Sequence, residues 1–207
     1  MSELAVPVLA RLRELLPLEN LSWSQLPDDG GDWPQAAVLV ALSEQHEPTV
    51  LLGRRGMHLS THPGEVAFPG GKREPEDQSP WDTALREAYE EVGIQPQAVT
   101  RLGELPPLIT RTGFQVFPFV GSIPSDFDPT VDPAEFDSVF APVLPVFADR
   151  SIYRLETMSD GVRSRRVPHY QVGEDNVWGV TAAILALLAN VAYDAGLDLQ
   201  RDWETAP

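Results

Sequence analysis

A pair of glycines followed by an acidic helix is the sequence feature that most restricts the fold of this chain. Gly70–Gly71 open a loop, and the helix after the loop is predicted over residues 80–92. Ser79 can cap the first turn of this helix, and Pro80 suits its first position. Gly93 can end the last turn, because glycine readily adopts the left-handed conformation that follows many helices. The sequence therefore predicts a short loop that leads into a helix with defined ends.

Three glutamates of this helix, Glu87, Glu90 and Glu91, are spaced so that their side chains emerge on one face. Each pair of like charges at such spacing destabilises an isolated helix by roughly 0.2–0.5 kcal/mol, and a divalent cation would offset the repulsion. The apolar residues at helical spacing form a separate stripe, made of Trp81, Ala84, Leu85, Ala88 and Val92. We therefore expect the acids beside the core and accessible to solvent, in an arrangement suited to metal-assisted diphosphate chemistry.

The segment from Arg86 to Ile94 resembles the second half of the signature of the Nudix hydrolases. That half reads arginine, glutamate, an aliphatic residue, any residue, two glutamates, any residue, glycine and an aliphatic residue, and every defined position matches. The first half differs, because Asp77 stands where the family has a glutamate after Gly71, and eight residues rather than seven then precede Arg86. Either the loop carries one extra residue or Gln78 occupies the place of the acid.

A second resemblance, just upstream, is to the coenzyme A diphosphatase branch of this family. The branch has a motif of the type Leu-Leu-Thr-x-Arg-Ser, followed by an arginine, a glycine and Phe-Pro-Gly-Gly. The chain keeps this spacing over residues 51–56 and 68–71, with Gly64 at the glycine position. Three positions differ from the branch motif: Gly53 replaces its threonine, Gly56 its serine or alanine, and Ser60 its later arginine.

Segments 110–121 and 177–182 are also similar to this branch, so that the resemblance covers roughly residues 36–190. The resemblance implies an α/β fold of layered α/β/α type, in which a mixed β-sheet lies between helices. One domain is therefore predicted over residues 1–207. Its parts are an N-terminal helical segment (1–20), the core (36–190) and a C-terminal tail (196–207).

Short apolar runs rich in β-branched residues predict strands on both sides of the acidic helix. The first two, Ala36–Leu42 and Thr49–Gly53, are joined by a polar stretch and are predicted to form a hairpin. Further strands are predicted at Ala98–Leu105 and Gln115–Gly121, with weaker candidates at Val139–Pro145 and Arg163–Val172. Helices are predicted at 3–16 and 180–195, and a loop at Pro124–Pro133. This mixed order favours a layered α/β fold over a regular βαβ series.

The charge of the chain argues against nucleic acid as a partner. Acidic residues outnumber basic ones by 31 to 15, which gives a net charge of −16. An anionic substrate must then approach through metal ions and local arginines. The absence of cysteine excludes disulfides, thiolate catalysis and cysteine zinc sites. No signal peptide pattern is visible, and the apolar run Val180–Ala192 is too short to cross a bilayer, so that a cytoplasmic protein without membrane contact is expected.

The family resemblance implies a divalent cation, Mg²⁺ or Mn²⁺, bound by oxygen ligands. Glu87 and Glu91 are assigned as the principal ligands, and Glu90 as a further or water-mediated ligand. The backbone carbonyl of Gly71 is a candidate contributor. Such a set suits magnesium, which binds a few carboxylates and retains several waters.

Arg86 and a small group of glutamates are the candidate catalytic residues. Arg86 cannot act as a base, because its guanidinium stays protonated, but its forked hydrogen bonds can hold a neighbouring carboxylate. We therefore expect Arg86 to orient the acids. The general base is left open among Glu87, Glu90 and Glu135, the last from a later loop. A metal-bound water needs only modest help, since the cation lowers its pKa.

Four residues beside the recognised segments are candidates for contact with the substrate: Arg54, Arg55, Arg111 and Phe114. The arginines would bind phosphates, and Phe114 would either stack on a base or pack in the core. The resemblance implies hydrolysis of coenzyme A or its acyl esters to a phosphopantetheine and adenosine 3′,5′-bisphosphate. Two alternatives stay open, namely hydrolysis of another nucleoside diphosphate derivative such as ADP-ribose, and a non-catalytic sensor that binds a nucleotide. The sequence leaves the oligomeric state open.

Overall fold

Helices and strands of several sheets alternate along the chain, as the mixed order of the sequence predicted. The computed structural model describes residues 8–19, 23, 33–110, 112–159 and 164–199. By their internal contacts the residues divide into two units, Met1–Val143 and Leu144–Pro207. The single domain predicted over residues 1–207 stays a prediction.

The helices are α1 (Val8–Leu15), α2 (Pro80–Val92) and α3 (Gly179–Tyr193). The strands of the first unit are β1 (Gln35–Ser43), β2 (Leu52–Arg55), β3 (Val66–Ala67), β4 (Gly70–Lys72), β5 (Thr100–Glu104), β6 (Leu108–Ile109), β7 (Gln115–Ile123) and β8 (Phe136–Phe140). Those of the second unit are β9 (Tyr153–Ser159), β10 (Ser164–Val172) and β11 (Asp175–Trp178). Short 3₁₀ helices span Pro96–Ala98 and Leu144–Ala148.

Strands β1 and β7 form the centre of a mixed five-stranded sheet in the first unit. They run parallel over their full length, from Gln35 beside Gln115 to Ser43 beside Ile123. Strand β4 pairs antiparallel with β1, and β5 and β6 pair antiparallel with β7 on its other side. Central strands are covered on both faces, which explains the nearly continuous apolar run of β1. The predicted α/β fold with a mixed sheet is confirmed.

Helix α2 has the predicted bounds and the predicted caps. The Ser79 hydroxyl oxygen accepts the backbone N–H of Asp82 at 3.2 Å, and Gly93 ends the helix in the left-handed conformation with φ 77°. The apolar side of α2 packs on one face of the sheet, in a buried cluster that includes Ala37. Gly71 of β4 lies directly opposite Ala37, so that it also faces α2. The glycine loop and the acidic helix are thereby placed against each other.

Strands β2, β3 and β8 form a separate antiparallel sheet, in which β2 is central. The predicted hairpin between segments 36–42 and 49–53 is confirmed only next to its turn, where Leu42 pairs antiparallel with Val50 and the N–H of Leu51 donates to the carbonyl of Ala41 at 3.0 Å. Beyond this bridge the two segments separate, since β1 pairs with β4 and β7 while β2 pairs with β3 and β8. The N–H of Val50 donates to the carbonyl of Pro142 at 2.9 Å, a non-local contact that the local pattern did not contain.

The weaker sequence predictions had different outcomes. The strand predicted at Val139–Pro145 is wrong over most of its length, since β8 ends at Phe140 and a 3₁₀ helix begins at Leu144. The strand predicted at Arg163–Val172 is confirmed as β10. The N-terminal helix predicted at 3–16 is confirmed over α1, and its first residues lie outside the described part of the chain.

In the second unit, β10 is the central strand of a three-stranded antiparallel sheet. Tyr170 on β10 is fully buried, and its hydroxyl donates to the carbonyl of Phe147 at 2.8 Å. The predicted last helix is confirmed as α3, most of which is buried. Among the described residues, no helix combines the length and the apolar character needed to span a membrane.

Candidate active site

Glu91 is buried beside the glycine loop, with 4% of its surface exposed. Its Oε2 accepts the backbone N–H of Gly70 at 2.8 Å. The expectation that all three acids lie open to solvent is therefore wrong for Glu91. The physical reason is that Gly71 carries no side chain on the face toward α2, which lets the loop backbone approach the helix closely enough for the N–H of Gly70 to bond this carboxyl group.

The surroundings of Glu91 disfavour its negative charge. Burial is the main cause that raises the pKa of Glu91 to about 8, and the hydrogen bond from Gly70 opposes this rise. The negative charges of Glu87 and Glu135 raise the pKa further, whereas the positive charge of Arg55 lowers it. Two further acids and one arginine, from three separate parts of the chain, thus act on Glu91. A buried carboxyl group with so little compensating charge favours a proton or a bound cation.

Glu87 lies against Gly71, the second glycine of the loop. A Cβ atom at Gly71 would collide with the carboxylate of Glu87 in its present position, so that glycine allows this close approach. Burial raises the pKa of Glu87, and the neighbouring guanidinium of Arg86 opposes that rise. Glu87 and Glu91 are one helical turn apart, and both meet the glycine loop. Their roles as metal ligands, and that of the Gly71 carbonyl, stay predictions.

Asp77, rather than Gln78, occupies the acid position of the loop. The Nε and Nη2 of Arg86 donate to the two carboxylate oxygens of Asp77 at 3.1 and 3.0 Å, the forked geometry that favours arginine for carboxylates. Gln78 is exposed and donates to the carbonyl of Glu76. Of the two alternatives left open by the sequence, the loop with one extra residue is therefore the one observed.

The charge of Asp77 is well stabilised, in contrast to that of Glu91. Burial would raise the pKa of Asp77, but hydrogen bonds from Arg86, from the backbone of Glu74 and from the Thr83 hydroxyl together lower it. Thr83 is fully buried, and its Oγ1 donates to Asp77 at 2.7 Å. Sequence reasoning missed Thr83, although its place three residues before Arg86 puts the two on one helix face.

Arg86 also contacts two of the three glutamates of α2. Its Nη1 lies 3.1 Å from Oε1 of Glu87 and 3.1 Å from Oε2 of Glu90, whose side chain is half-exposed. Its Nη2 donates to the carbonyl of Lys72 at 3.0 Å. One guanidinium group thus connects the loop carboxylate, the loop backbone and two helix acids. These contacts are of the kind that the predicted orienting role of Arg86 requires, and the roles of Arg86, Glu87 and Glu90 in catalysis stay predictions.

Glu135 belongs to the loop between β7 and β8, which is fixed to the C-terminal end of α2. The N–H of Thr130 donates to the carbonyl of Val92 at 3.0 Å, and the N–H of Asp132 donates to that of Glu91 at 2.8 Å. These carbonyls have no partner within the helix, because they lie in its last turn. The loop satisfies them and thereby places Glu135 close enough for its charge to act on Glu91.

The side chains of Arg55 and Arg54, two of the substrate-binding candidates, point in different directions. Nη2 of Arg55 lies 3.4 Å from Oε2 of Glu135, and its charge acts on Glu91. The guanidinium of Arg54 lies 4.1 Å from the ring centre of Phe140 on the neighbouring strand. Because successive strand residues point to opposite faces, the strand brings Arg55, rather than Arg54, to the acids.

The other two substrate-binding candidates are Phe114 and Arg111. Nζ of Lys72 lies 5.2 Å from the ring centre of Phe114. Lys72 follows Gly71 on β4, so that strand alternation directs its side chain to the face of the sheet opposite α2. Phe114 thus packs on the far face from the acids, and its stacking on a base stays a prediction. Arg111 lies outside the described residues.

The donor atoms of this site fit a hard divalent cation. No three histidine or acidic side chains of the described residues are gathered into a ready metal cage, and Arg86 bonds both Glu87 and Glu90. The buried carboxyl group of Glu91 lies next to Glu87 and has a raised pKa, and a bound cation would stabilise its ionised form. All of these donors are oxygens, which magnesium and manganese prefer.

Comparison with known proteins shows the family of the chain. Residues 33–150 match the family model of the NUDIX domain. The chain is 43% identical over 155 residues to the uncharacterized Nudix hydrolase NudL of Yersinia enterocolitica, covering 74% of this chain and 79% of that protein. It is 41% identical over 154 residues to the NudL protein of Photorhabdus laumondii, covering 74% and 82%.

A solved structure shares the fold. The MutT/nudix family protein from Enterococcus faecalis superposes with a TM-score of 0.53 at 19% identity, over 82% of this chain and 65% of that one. Most of the Nudix match lies in the first unit, which contains the glycine loop, α2, Arg55 and Glu135. The chain therefore belongs to the Nudix hydrolases, enzymes that act on the pyrophosphate bonds of nucleoside diphosphate derivatives.

Proposed function

We propose that this enzyme uses Mg²⁺ or Mn²⁺ to hydrolyse the diphosphate linkage of coenzyme A or of its acyl esters. The products would be phosphopantetheine, or its acyl derivative, and adenosine 3′,5′-bisphosphate. The observation that carries the metal assignment is the buried carboxyl group of Glu91, hydrogen-bonded to Gly70 and next to Glu87. The substrate assignment rests on the branch motif over 51–56 and 68–71. We further place the enzyme in the cytoplasm.

Glu87 and Glu91 would hold the cation, with Glu90 and the Gly71 carbonyl as further ligands. The bound cation would neutralise phosphate oxygens and lower the pKa of a bound water. Arg86 has a different task in this proposal. Because it is fixed by two hydrogen bonds to Asp77, its Nη1 keeps Glu87 within reach of the loop. The acids are then held in place before the substrate arrives, which reduces the cost of reorganisation.

Glu135 is the base that the contacts of the site favour among the three candidates. Glu87 and Glu90 each lie 3.1 Å from Nη1 of Arg86, and both are assigned to the cation, so that their carboxylates are already engaged. Glu135 has a longer contact, 3.4 Å, to Arg55. In the proposed step, a water oxygen attacks phosphorus, and its proton moves to the Glu135 carboxylate. The bridging P–O bond breaks, and the leaving phosphate keeps the electron pair.

One of the three departures from the coenzyme A motif has a structural explanation within this chain. A Cβ atom at Gly53 would collide with the buried ring of Phe136. The space that the branch gives to the side chain of its threonine is therefore filled by a ring of the protein itself. A Cβ atom at Gly56 would meet only the exposed side chain of His58, which can move aside. Gly53 thus reflects a change in packing, which leaves the coenzyme A proposal in place.

The third departure favours the second candidate substrate. Ser60 is exposed in the loop between β2 and β3, where the branch has an arginine. A serine there cannot supply the positive charge that an extra phosphate group would need. A nucleoside diphosphate derivative without such a phosphate, such as ADP-ribose, is therefore the alternative substrate.

A panel of diphosphates separates these candidates. Coenzyme A, acetyl coenzyme A and ADP-ribose would each be incubated with the enzyme and Mg²⁺, and the products identified by mass spectrometry. The proposal predicts adenosine 3′,5′-bisphosphate from the first two, at a higher kcat/KM than for ADP-ribose. Glu91→Gln serves as the matched control, since it keeps the size of the side chain and should turn over none of them. A preference for ADP-ribose would overturn the coenzyme A assignment.

A further inference from the structure

The ion pair between Arg55 and Glu135 is weak. Nη2 of Arg55 and Oε2 of Glu135 are 3.4 Å apart, beyond the usual range of an N–H···O hydrogen bond. Their side chains are 19% and 39% exposed. Ion pairs with such exposure contribute little to stability, because solvent screens them and both side chains lose freedom. A stronger anion can therefore compete for Arg55.

The guanidinium of Arg55 is also poorly satisfied where it lies. Its Nε is buried, and within the described part of the chain it has no hydrogen-bond partner. A buried donor without an acceptor is unfavourable. A guanidinium has five N–H donors in a fork that matches two oxygens of a phosphate group. Arg55 thus gains hydrogen bonds when it exchanges one long contact with Glu135 for phosphate oxygens.

The backbones of the two partners are fixed side by side. The N–H of Gly56 donates to the carbonyl of Glu135 at 2.9 Å, and the N–H of Arg55 donates to that of Glu65 at the same distance. An exchange of partners therefore requires only that the side chains move. The carboxylate of Glu135 would stay beside Glu91, on whose pKa its charge already acts.

We propose that a phosphate group of the substrate displaces Glu135 from Arg55, so that substrate binding itself frees the Glu135 carboxylate to act on the attacking water. This inference rests on the proposed function and adds a second task for Arg55, which becomes a positioning residue for Glu135 as well as a phosphate ligand. In the empty enzyme Arg55 neutralises Glu135. In the complex Arg55 binds phosphate, and Glu135 takes the water proton while the bridging P–O bond breaks with its electron pair on the leaving phosphate.

The test is a double-mutant cycle on nucleotide affinity in the absence of turnover. Isothermal titration with ADP in EDTA would compare the wild type with Glu135→Gln, Arg55→Ala and the double variant. Glu65→Gln is the matched control, since Glu65 belongs to the same region and contacts His62 rather than the Arg55 side chain. Circular dichroism would check the fold of each variant, and Arg55→Lys would replace Arg55→Ala if that variant does not fold.

If Glu135 competes with phosphate, Glu135→Gln should bind ADP about twofold to fivefold more tightly than the wild type. This gain should vanish when Arg55 is also replaced, and Glu65→Gln should change the affinity less than Glu135→Gln does. An equal gain with and without Arg55, or weaker binding by Glu135→Gln, would overturn the exchange. Failure of the proposed function gives a different result, namely no hydrolysis of any diphosphate by the wild type, whatever the ADP titrations show.

Discussion

Replacement of Glu91 by glutamine should stabilise this enzyme when divalent cations are absent. Burial raises the pKa of Glu91 to about 8, against a usual value of 4.5. Between these two pH values the unfolded chain releases the Glu91 proton while the folded chain keeps it. The free energy of unfolding therefore falls as the pH rises through this window. Glutamine has no such proton, and its amide oxygen can still accept the N–H of Gly70.

The size of the effect follows from the separation of the two pKa values. Each pH unit corresponds to about 1.4 kcal/mol, so at pH 7 the variant should be more stable than the wild type by up to roughly 3 kcal/mol. At pH 5 the two proteins should agree within about 1 kcal/mol. Mg²⁺ at 1,000 times its Kd should reverse the order, because it then stabilises the wild type by about 4.1 kcal/mol and the variant lacks a ligand.

Urea unfolding followed by circular dichroism, at pH 5 and pH 7, with EDTA or with Mg²⁺, measures these differences. Glu90→Gln is the control, since the Glu90 side chain is half-exposed and its loss should change the free energy of unfolding by about 0.5 kcal/mol or less. The reasoning is refuted if Glu91→Gln is less stable than the wild type at pH 7 in EDTA. It is also refuted if the difference between them is the same at both pH values.

Three further predictions concern the glycine loop, the loop carboxylate and the metal. Gly71→Ala puts a Cβ atom where the carboxylate of Glu87 lies, so that this side chain must turn aside. Circular dichroism should show a retained fold, stability should change by about 1 kcal/mol or less, and kcat should fall at least about tenfold. Unchanged kinetics would contradict the contact. Asp77→Asn removes a carboxylate whose pKa is lowered in the folded enzyme. Thermal melts should therefore show a loss of stability near pH 6, and this loss should disappear as the pH falls below 3.8. A loss of stability that does not depend on pH would exclude the ion pair with Arg86. Removal of divalent cations with EDTA should abolish hydrolysis of the diphosphate substrate, and added Mg²⁺ should restore it; turnover that survives EDTA would contradict metal dependence.

The acidic helix could be predicted from the sequence because its signals are local. Ser79, Pro80 and Gly93 act within one turn of the helix ends, and α2 has the bounds that they predicted. The central strands β1 and β7 were recognisable for a related reason, since their apolar runs have the short length typical of strands and are rich in β-branched or aromatic residues. The hairpin between segments 36–42 and 49–53 is limited to one bridge, because β2 pairs with β8, which lies far along the chain.

The burial of Glu91 could not be predicted from helix periodicity alone. Periodicity places Glu91 beside the apolar stripe, but its exposure depends on how closely the loop of Gly70 approaches. The same limit applied to Asp77, because the spacing of the motif allowed either Asp77 or Gln78 as the acid. The decision comes from Thr83 and Arg86, which both donate to Asp77 in three dimensions. The residue types in the sequence indicated a cluster of acids suited to metal binding. Contacts between separate segments determined which of the carboxylate groups are buried and which are bonded to Arg86.

The position of a bound cation is the most direct test of the site. Crystals of the enzyme soaked in MnCl₂ would be measured at a wavelength where manganese scatters anomalously, with and without ADP. An anomalous peak within coordination distance of the carboxylates of Glu87 and Glu91 is the predicted result. A well-ordered site without a peak there, or a peak bound elsewhere on the protein, would contradict the central claim that these helix acids hold the catalytic metal.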